Sequence, residues 1–313
     1  MKNFFSYLLA ISLLFCCCTL QENAAILDLA SGTLERTKEF PSKFIKPRNI
    51  DVWLPESYSD QNRYAVLYMH DGQMLFDSSK TWNGQEWGVD ETVASLLEKQ
   101  EIRNTIVVGI WNTDLRHSEY FPQKPFENLP TTTRDSILNL GRSQNASLFK
   151  TAICSDGYLK FIVEELKPFI DEKYSTLPDF QNTFIAGSSM GGLISMYALC
   201  EYPNVFSGAA CISAHWIGTF DTLNNPIPPL FMQYLEGYLP VPKAHKIYFD
   251  YGTATLDQYY EPYQMMVDSI MMRKGYGSKD WQTIKFEGEN HSEKSWSKRL
   301  DIPLKFLLEK VNR

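Results

Sequence analysis

The sequence lacks several short motifs by which enzymes bind metals and nucleotides. It contains no H-E-x-x-H, no G-x-G-x-x-G and no P-loop. It also lacks blocks of lysine or arginine, and its 30 basic against 37 acidic residues give a net charge of −7. The sequence therefore predicts no cofactor, no metal site and no nucleic-acid partner.

Cysteine is scarce in the body of the chain. Three of the six cysteines stand together at positions 16–18, and the others are Cys154, Cys200 and Cys211. These last three have no metal-ligand spacing and are too few for a disulfide framework, although one disulfide is compatible with them. Cys200 and Cys211 lie in apolar surroundings and are expected to be small core residues.

The sequence also lacks an apolar run long enough to span a membrane as a helix. The run at residues 4–15 follows Lys2 and is shorter than the roughly 20 residues that a span needs. We predict a signal peptide over residues 1–18 whose cysteines resemble a bacterial lipobox, although the bulky Phe15 precedes the first of them. An uncleaved signal anchor is the alternative. Both predict an exported protein, periplasmic or at the cell surface, held at a membrane by its N-terminus.

The overall composition is typical of one globular domain, since 44% of the 313 residues are hydrophobic and 21% are charged. A polar stretch ending near Lys38 predicts a tether, so residues 19–48 are interpreted as tether and lead-in and residues 49–313 as the domain. From residue 49 onward, buried strand patterns alternate with amphipathic helix patterns. This alternation predicts an α/β fold with a mostly parallel central sheet and helices on both faces.

Two segments interrupt this alternation, at residues 112–151 and 216–244. Both are rich in proline, aromatic and polar residues. Segments of this length within a compact domain are commonly lids or binding surfaces. We expect them to form walls of a substrate cleft, with simple packing flaps as the alternative.

The most informative stretch is T-F-I-A-G-S-S-M-G-G-L-I-S-M-Y-A-L, which begins at Thr183. It contains G-x-S-x-G, with Ser189 at the centre, between a short strand pattern and a helix pattern. In a nucleophile elbow the serine occupies a strained strand-to-helix turn, and the glycines remove side chains that would clash. Ser189 is therefore the predicted nucleophile.

A serine hydroxyl becomes a useful nucleophile when a histidine takes its proton and a carboxylate orients that histidine. In sheets of this type the partners follow in the order serine, acid, histidine. His291 lies after the last predicted strand and is the predicted base. Asp257 lies in the loop after the strand K-I-Y-F-D-Y-G and is the predicted acid, with Asp250 as the alternative.

Two backbone N–H groups are predicted to stabilise the oxyanion. Met190 directly follows the nucleophile at a helix N-terminus, where N–H groups are free. The second N–H is assigned to Gln73, in the loop after the strand that ends V-L-Y-M-H, with Gly72 allowing close backbone approach.

Several further side chains are candidates for the walls of the site. His215 and Trp216 follow the strand that succeeds the nucleophile helix, and His70 ends the strand before the oxyanion loop. All three are assigned as substrate-binding, with packing roles as the alternative. Arg116 and Arg142 lie in the first long segment and could bind a carboxylate or phosphate, although exposed arginines are commoner.

Four stretches in order resemble the family described as "putative esterase" within the α/β-hydrolase superfamily: Y-M-H-D-G-Q-M-L-F-D, G-S-S-M-G-G, Y-F-D-Y-G-T-A-T-L-D and G-E-N-H-S-E-K-S-W. The resemblance covers residue 49 to the C-terminus. It implies an α/β-hydrolase fold and again Ser189, Asp257 and His291 as the triad. The family contains feruloyl, acetylxylan and enterochelin-type esterases and S-formylglutathione hydrolases. One departure is that H-D-G-Q replaces the commoner H-G opening of the oxyanion loop.

The leading functional hypothesis is a serine esterase that acts on acyl or aryl esters, including carbohydrate-linked ones. A siderophore trilactone hydrolase of the enterochelin type is the second hypothesis. A hypothesis of another class is a non-catalytic glycan-binding protein of the cell surface, built on an esterase scaffold. Transfer of the acyl group to an alcohol instead of water is also compatible with the same residues.

Overall fold

The computed structural model of the protein describes residues 28–143, 146–220, 225–242 and 244–310. The predicted signal peptide and the cysteines at 16–18 lie outside these residues. Within them, no helix has the length and apolar character needed to cross a bilayer. The three cysteines of the described body are free thiols.

Strands and helices alternate along most of the described chain. The strands are β1 (Thr33–Phe40), β2 (Arg48–Leu54), β3 (Ala65–His70), β4 (Thr105–Ile110), β5 (Gly141–Ser143), β6 (Ala146–Ser147), β7 (Thr183–Ser188), β8 (Gly208–Ile212), β9 (Lys246–Gly252) and β10 (Trp281–Phe286). The helices are α1 (Val89–Glu98), α2 (Arg116–Tyr120), α3 (Gln123–Glu127), α4 (Thr131–Leu138), α5 (Ser155–Lys160), α6 (Lys167–Lys173), α7 (Met190–Glu201), α8 (Ile227–Tyr238), α9 (Glu261–Arg273), α10 (Glu293–Ser297) and α11 (Asp301–Leu307). A π-helical turn, Phe161–Leu166, joins α5 to α6.

In the described part of the chain, eight strands form one sheet in the order β1-β2-β4-β3-β7-β8-β9-β10. The six strands β4, β3, β7, β8, β9 and β10, taken in their order across the sheet, are all parallel to their neighbours. Strand β2 pairs antiparallel with both β1 and β4. The predicted α/β fold with a mostly parallel sheet is therefore confirmed. From β3 the chain steps to one side to form β4 and later returns to the other side to form β7. The carboxyl ends of β3 and β7 thus flank the point where the order reverses, which is where open α/β sheets place their ligands.

Helices cover both faces of the sheet because every central strand is apolar on both sides. In β3, Val66 and Tyr68 belong to the core on one face, while Leu67 and Met69 belong to the core on the other. The first core also holds the buried sides of α5, α7, α8 and α9, and the second holds those of α1 and α11.

The predicted polar tether is wrong over its last part. Thr33–Phe40 forms the edge strand β1, whose Thr33 pairs with Leu54 of β2. The Arg36 side chain makes a two-point ion pair with the buried Asp51, at 2.6 and 2.8 Å. A half-exposed edge strand has many polar residues, which is why its sequence resembled a linker. The fold therefore begins before residue 49.

The two long segments contain helices of their own and pack against each other. The first contains α2, α3 and α4, and the second contains α8. The rings of Phe121 in the first segment and Phe231 in the second have their centroids 5.3 Å apart. The first segment is also joined to the sheet, because Arg48 of β2 forms a buried ion pair with Glu119 of α2. The described chain ends with two short helices, α10 and α11.

Candidate active site

Ser189 occupies a sharp turn between β7 and α7. Its backbone has φ 56° and ψ −120°, a conformation that a non-glycine residue adopts only when its surroundings enforce it. Three backbone hydrogen bonds do so: the Ser189 N–H donates to Ile212 at 2.9 Å, and its carbonyl accepts from Leu193 at 3.0 Å and from His215 at 3.1 Å. The Ser189 side chain does not cap α7, and it is partly exposed between the buried Ser188 and Met190. The residue is therefore accessible at the turn while its two neighbours are not.

The first glycine of G-x-S-x-G is required by a close contact, and the second lies beside the end of β3. A Cβ on Gly187 would lie 2.8 Å from the backbone carbon of Gly191, which is closer than side chains tolerate. A Cβ on Gly191 would stand 3.4 Å from the Cβ of His70 and 3.5 Å from a carboxylate oxygen of Asp71. The turn thus packs directly against the end of β3, so that the elbow and the predicted oxyanion loop are neighbours.

The structure brings Asp257 and His291 together. The Nδ1 atom of His291 lies 2.5 Å from Oδ1 of Asp257, a carboxylate with no exposed surface. Burial by itself would raise the pKa of Asp257. Hydrogen bonds from His291, Ser213 and the Gly252 N–H outweigh burial and hold that pKa below its ordinary value. Asp257 is therefore an anion that fixes the imidazole through Nδ1 and leaves Nε2 as the nitrogen available for proton transfer.

A serine that the sequence did not single out holds the other oxygen of Asp257. The hydroxyl of Ser213 donates to Oδ2 at 2.6 Å, and the Gly252 N–H donates to the same oxygen at 2.7 Å. Ser213 in turn accepts from the indole of Trp296 at 3.0 Å and from Arg299 at 3.1 Å. Asp257 is thus oriented from both sides.

Asp250, the alternative acid, has other partners. Its carboxylate pairs with Arg299 at 3.0 Å and accepts from the Ser213 N–H and the Tyr248 hydroxyl. Burial raises the pKa of Asp250 even though Arg299 opposes the shift. Its hydrogen bonds go to these groups and not to His291, so Asp257 is the carboxylate that meets the imidazole.

If Ser189, Asp257 and His291 act together in ester hydrolysis as the sequence predicts, a Ser213→Ala substitution is expected to lower kcat/KM by about 10-fold, since a hydrogen bond to an ionised carboxylate is lost. The Ser213 hydroxyl lowers the pKa of Asp257, so its removal raises that pKa. The acidic limb of the pH–rate profile should therefore move to higher pH, because the carboxylate is protonated earlier as pH falls. Ser175→Ala removes another buried serine hydroxyl, which donates to the Asn62 carbonyl at 2.7 Å, and serves as control. An unaltered pH profile in Ser213→Ala would contradict the assigned role.

Tyr260 links the serine to the histidine. Its ring stands edge-on to the His291 imidazole with centroids 5.8 Å apart, and its hydroxyl lies 2.6 Å from Nδ1 of His215. The His215 N–H donates to the Ser189 carbonyl at 3.1 Å, so Tyr260 is joined to the serine turn through His215.

The residues predicted to stabilise an oxyanion lie at the two neighbouring turns. Met190 is the first residue of α7, so its N–H has no partner within the helix. Gln73 is in the 3₁₀ turn Gly72–Met74 that follows β3, and its side-chain carbonyl accepts from the Asn112 N–H at 3.1 Å. Their role stays a prediction.

Trp216, His70 and His215, the candidates for the walls of the site, are all buried. Trp216 is 1% exposed, and its indole donates to Gln264 at 2.9 Å. His70 is 2% exposed, with Nδ1 at 2.7 Å from the Tyr158 hydroxyl, and burial lowers its pKa to about 3. His215 is equally buried and lies 2.6 Å from the Tyr260 hydroxyl.

Arg116 does not present a free guanidinium to the cleft. It makes a two-point ion pair with Asp71, at 2.6 and 2.7 Å, and Asn112 donates to the same carboxylate at 2.6 Å. Burial alone would raise the pKa of Asp71, but Arg116 holds it below its ordinary value. The pair joins the first long segment to the turn after β3. Arg142 is not among the side chains that the structure describes.

Among the described residues, no group of three or more histidine, cysteine, aspartate or glutamate side chains is arranged to hold a metal ion.

Comparison with known proteins identifies a family for this chain and structures with the same fold. A sequence model of the family described as "Putative esterase" matches residues 42–301, which is most of the chain. The chain belongs to this family. The uncharacterized protein YjcH of Bacillus subtilis (strain 168) is 26% identical over 178 residues, which cover 56% of this chain and 59% of that relative. The match thus spans little more than half the length of this curated relative.

Solved structures show the same fold at low identity. A ferulic acid esterase superposes with a TM-score of 0.60 and 17% identity, over 89% of this chain and 98% of its own. The enterobactin esterase FES from Shigella flexneri superposes with a TM-score of 0.59 and 16% identity, over 88% of this chain and 59% of its own. These likenesses establish the α/β-hydrolase fold of this member of the esterase family.

Proposed function

We propose that this protein is a serine esterase that hydrolyses carboxylic esters through an acyl-enzyme. The observation that carries the proposal is the hydrogen bond between buried Asp257 and partly exposed His291, at the end of the sheet where Ser189 occupies its strained turn. A serine of this kind is a weak nucleophile without a base, and a histidine is a directed base only when a carboxylate orients it. Membership of the esterase family supports the same reaction class.

In the first half of the reaction, Ser189 Oγ attacks the ester carbonyl carbon while Nε2 of His291 takes its proton. Negative charge then develops on the carbonyl oxygen, where the Met190 and Gln73 N–H groups are proposed to donate. The intermediate collapses when the bond to the leaving alcohol breaks, and His291 gives that alcohol its proton. Asp257 stabilises the imidazolium throughout and keeps its own negative charge.

In the second half, water replaces the alcohol. His291 takes a proton from water, the hydroxide attacks the acyl carbon, and the bond to Ser189 Oγ breaks as His291 returns the proton to it. The carboxylic acid leaves and the free enzyme is restored.

Two exposed aromatic side chains support an aryl or carbohydrate-linked ester. Trp82 is 84% exposed. Two residues that follow it contact helix α10, which begins just after His291. Asn83 donates to Glu293 at 2.9 Å, and Gln85 accepts from the Lys294 N–H at 3.2 Å. Phe220 is 53% exposed, with its ring 5.8 Å from that of His215. Flat apolar faces of this kind stack on aromatic rings and sugars.

Labelling with a fluorophosphonate probe tests the proposal. The full chain should form a covalent adduct in which Ser189 Oγ has displaced fluoride, with fragment ions assigning the adduct to Ser189 and not to Ser188; heat-denatured protein is the control. A panel of methyl ferulate, p-nitrophenyl acetate and an enterobactin-type trilactone then separates the aryl or acyl esterase from the trilactone hydrolase. A folded protein that forms no adduct would instead support the non-catalytic glycan binder.

The N-terminal sequence supports a site of action outside the cytoplasm. We propose that the apolar run directs export and that the cysteines at positions 16–18, which resemble a lipobox, carry a lipid anchor. Ester substrates would then reach the enzyme from the periplasm or the medium.

A further inference from the structure

The turn after β3, which carries Gln73, begins with a residue in an unusual backbone conformation. Asp71 directly precedes the 3₁₀ turn Gly72–Met74 and has φ 59° and ψ 44°, in the left-handed region that few residues other than glycine, asparagine and aspartate adopt. Such a conformation persists where the surrounding structure imposes it. The groups that hold Asp71 therefore also determine where the N–H of Gln73, two residues later, points.

Two residues that follow β4 hold the Asp71 side chain. Nε and Nη2 of Arg116 donate to its two carboxylate oxygens, at 2.7 and 2.6 Å, and Nδ2 of Asn112 donates to Oδ1 at 2.6 Å. The Asn112 N–H donates to the side-chain carbonyl of Gln73 at 3.1 Å. Asn112 thus bonds both to Asp71 and to Gln73, so both ends of the turn are attached to the first long segment.

The carboxylate of Asp71 also lies beside the nucleophile elbow. A Cβ on Gly191 would stand 3.5 Å from its Oδ2, so this oxygen faces the first turn of α7. On the other side of the turn, a Cβ on Gly72 would lie 2.6 Å from the backbone carbon of Gly109 in β4. The turn is therefore confined between β4 and α7, and Asp71 lies at the junction of the two turns from which the oxyanion N–H groups are predicted to come.

An unpaired carboxylate at this junction would oppose the proposed reaction, because it would repel negative charge developing on the substrate oxygen. Burial alone would raise the pKa of Asp71, but the Arg116 guanidinium holds it below its ordinary value. Asp71 is therefore ionised, and the charge of Arg116 cancels its charge. The pair provides a fixed attachment without net charge.

We propose that the ion pair of Asp71 and Arg116 is a positioning device for the oxyanion site, which fixes the turn after β3 so that the Gln73 N–H donates to the substrate oxygen. The proposal rests on the proposed function. Both residues act through Gln73, and Asn112 supports them by bonding to Asp71 and to Gln73. No proton is transferred by the pair.

Two substrates that differ in one atom report on the oxyanion site: p-nitrophenyl acetate and its thionoester, in which sulfur replaces the carbonyl oxygen. Sulfur is the weaker hydrogen-bond acceptor, so a well-placed donor favours the oxygen ester. Asp71→Asn in the full chain is expected to lower kcat for p-nitrophenyl acetate by about 10-fold, with KM changed by less than about 3-fold. The ratio of kcat/KM for the ester to that for the thionoester should fall by about 5-fold or more. The intrinsic reactivities of the two substrates cancel when this ratio is compared between variant and wild type.

Arg116→Gln separates positioning by a neutral pair from simple packing. It leaves the Asp71 carboxylate without its cation and should lower kcat more than Asp71→Asn does. The double variant removes both charges, and its kcat should recover to within about 3-fold of that of Asp71→Asn. Loss of packing alone would not be reversed by a second substitution.

Arg36→Gln is the matched control. It breaks another two-point pair, to the buried Asp51 at 2.6 and 2.8 Å, which joins β1 to β2 and does not hold the turn after β3. It should lower Tm and leave the ratio of the two substrates unchanged.

The proposal is overturned if Asp71→Asn and Arg116→Gln fold and keep the wild-type ratio within about 2-fold. A rise in KM confined to an ester that carries a carboxylate, with that ratio unchanged, would overturn it by making Arg116 a substrate-binding residue. If neither variant folds, Asn112→Ala decides, since it leaves the ion pair in place and removes one donor to Asp71. A fall of about 2-fold or more in the ratio then supports the proposal, and an unchanged ratio overturns it.

Failure of the proposed function gives a different result: wild-type protein that is neither labelled at Ser189 nor active, or hydrolysis that survives Ser189→Ala. In that case the role of the ion pair fails with it.

Discussion

Replacing Ser189 by alanine is expected to lower kcat/KM for ester hydrolysis by about three orders of magnitude or more. The substitution removes the oxygen that forms the acyl-enzyme, and none of the neighbouring hydroxyls can replace it. Ser188 is buried at the end of β7, and the Tyr260 hydroxyl is a neutral phenol bonded to His215. Hydrolysis of p-nitrophenyl acetate and methyl ferulate, measured beside the wild type at equal concentration, checks this expectation.

The matched control is Ser188→Ala, which changes the adjacent serine and should retain most of the activity. The circular dichroism spectrum of Ser189→Ala should match that of the wild type. Its Tm should not fall, because alanine leaves the backbone bonds of the turn intact and the Ser189 side chain caps no helix. Equal activity of Ser189→Ala and wild type would rule out the proposed nucleophile.

Asp257→Asn is expected to lower kcat by about four orders of magnitude at neutral pH while the protein stays folded. The asparagine amide can present its N–H to Nδ1 of His291, which then carries its proton on Nε2 and cannot accept one from Ser189. The substitution also removes the negative charge that stabilises the imidazolium. Steady-state kinetics together with the thermal unfolding midpoint separate this effect from simple loss of structure.

Asp268→Asn provides the comparison for this second prediction. Asp268 is also hydrogen-bonded and half-buried, accepting from Gln264 at 2.9 Å and Thr283 at 2.8 Å. It lies about two turns further along α9 than Tyr260, so its substitution should leave kcat within about 3-fold of the wild type. Asp250→Asn would leave the buried Arg299 with a weaker partner and should lower Tm. If Asp257→Asn retained activity and Asp250→Asn abolished it in a folded protein, the acid would have been assigned wrongly.

The local sequence pattern correctly predicted the features that depend only on contiguous residues. The alternation of strands and helices predicted the parallel sheet, and G-x-S-x-G between a strand and a helix predicted the strained turn at Ser189. Chain order favoured Asp257 and His291, because the loops after successive parallel strands open at one edge of a sheet. The structure places these two side chains in contact, and their catalytic roles remain proposals for the experiments above.

Local pattern failed where burial depends on distant segments. An aromatic or histidine side chain after a strand can face a cleft or a core, and nothing within its own segment distinguishes the two. Trp216, His70 and His215 are buried by partners 48, 88 and 45 residues away in the chain. The polar strand β1 was mistaken for a tether because an edge strand buries little of itself and is recognised only by its pairing with β2.

By itself, then, the sequence determined the order of the elements, the serine turn and the family, since each is written in contiguous residues whose spacing obeys local stereochemistry. Tertiary structure alone decided that Ser213 and Arg299 support Asp257, that Arg116 pairs with Asp71, and that Tyr260 packs against His291. Such contacts join residues from separate segments, and their identity follows from how helices and strands pack in three dimensions.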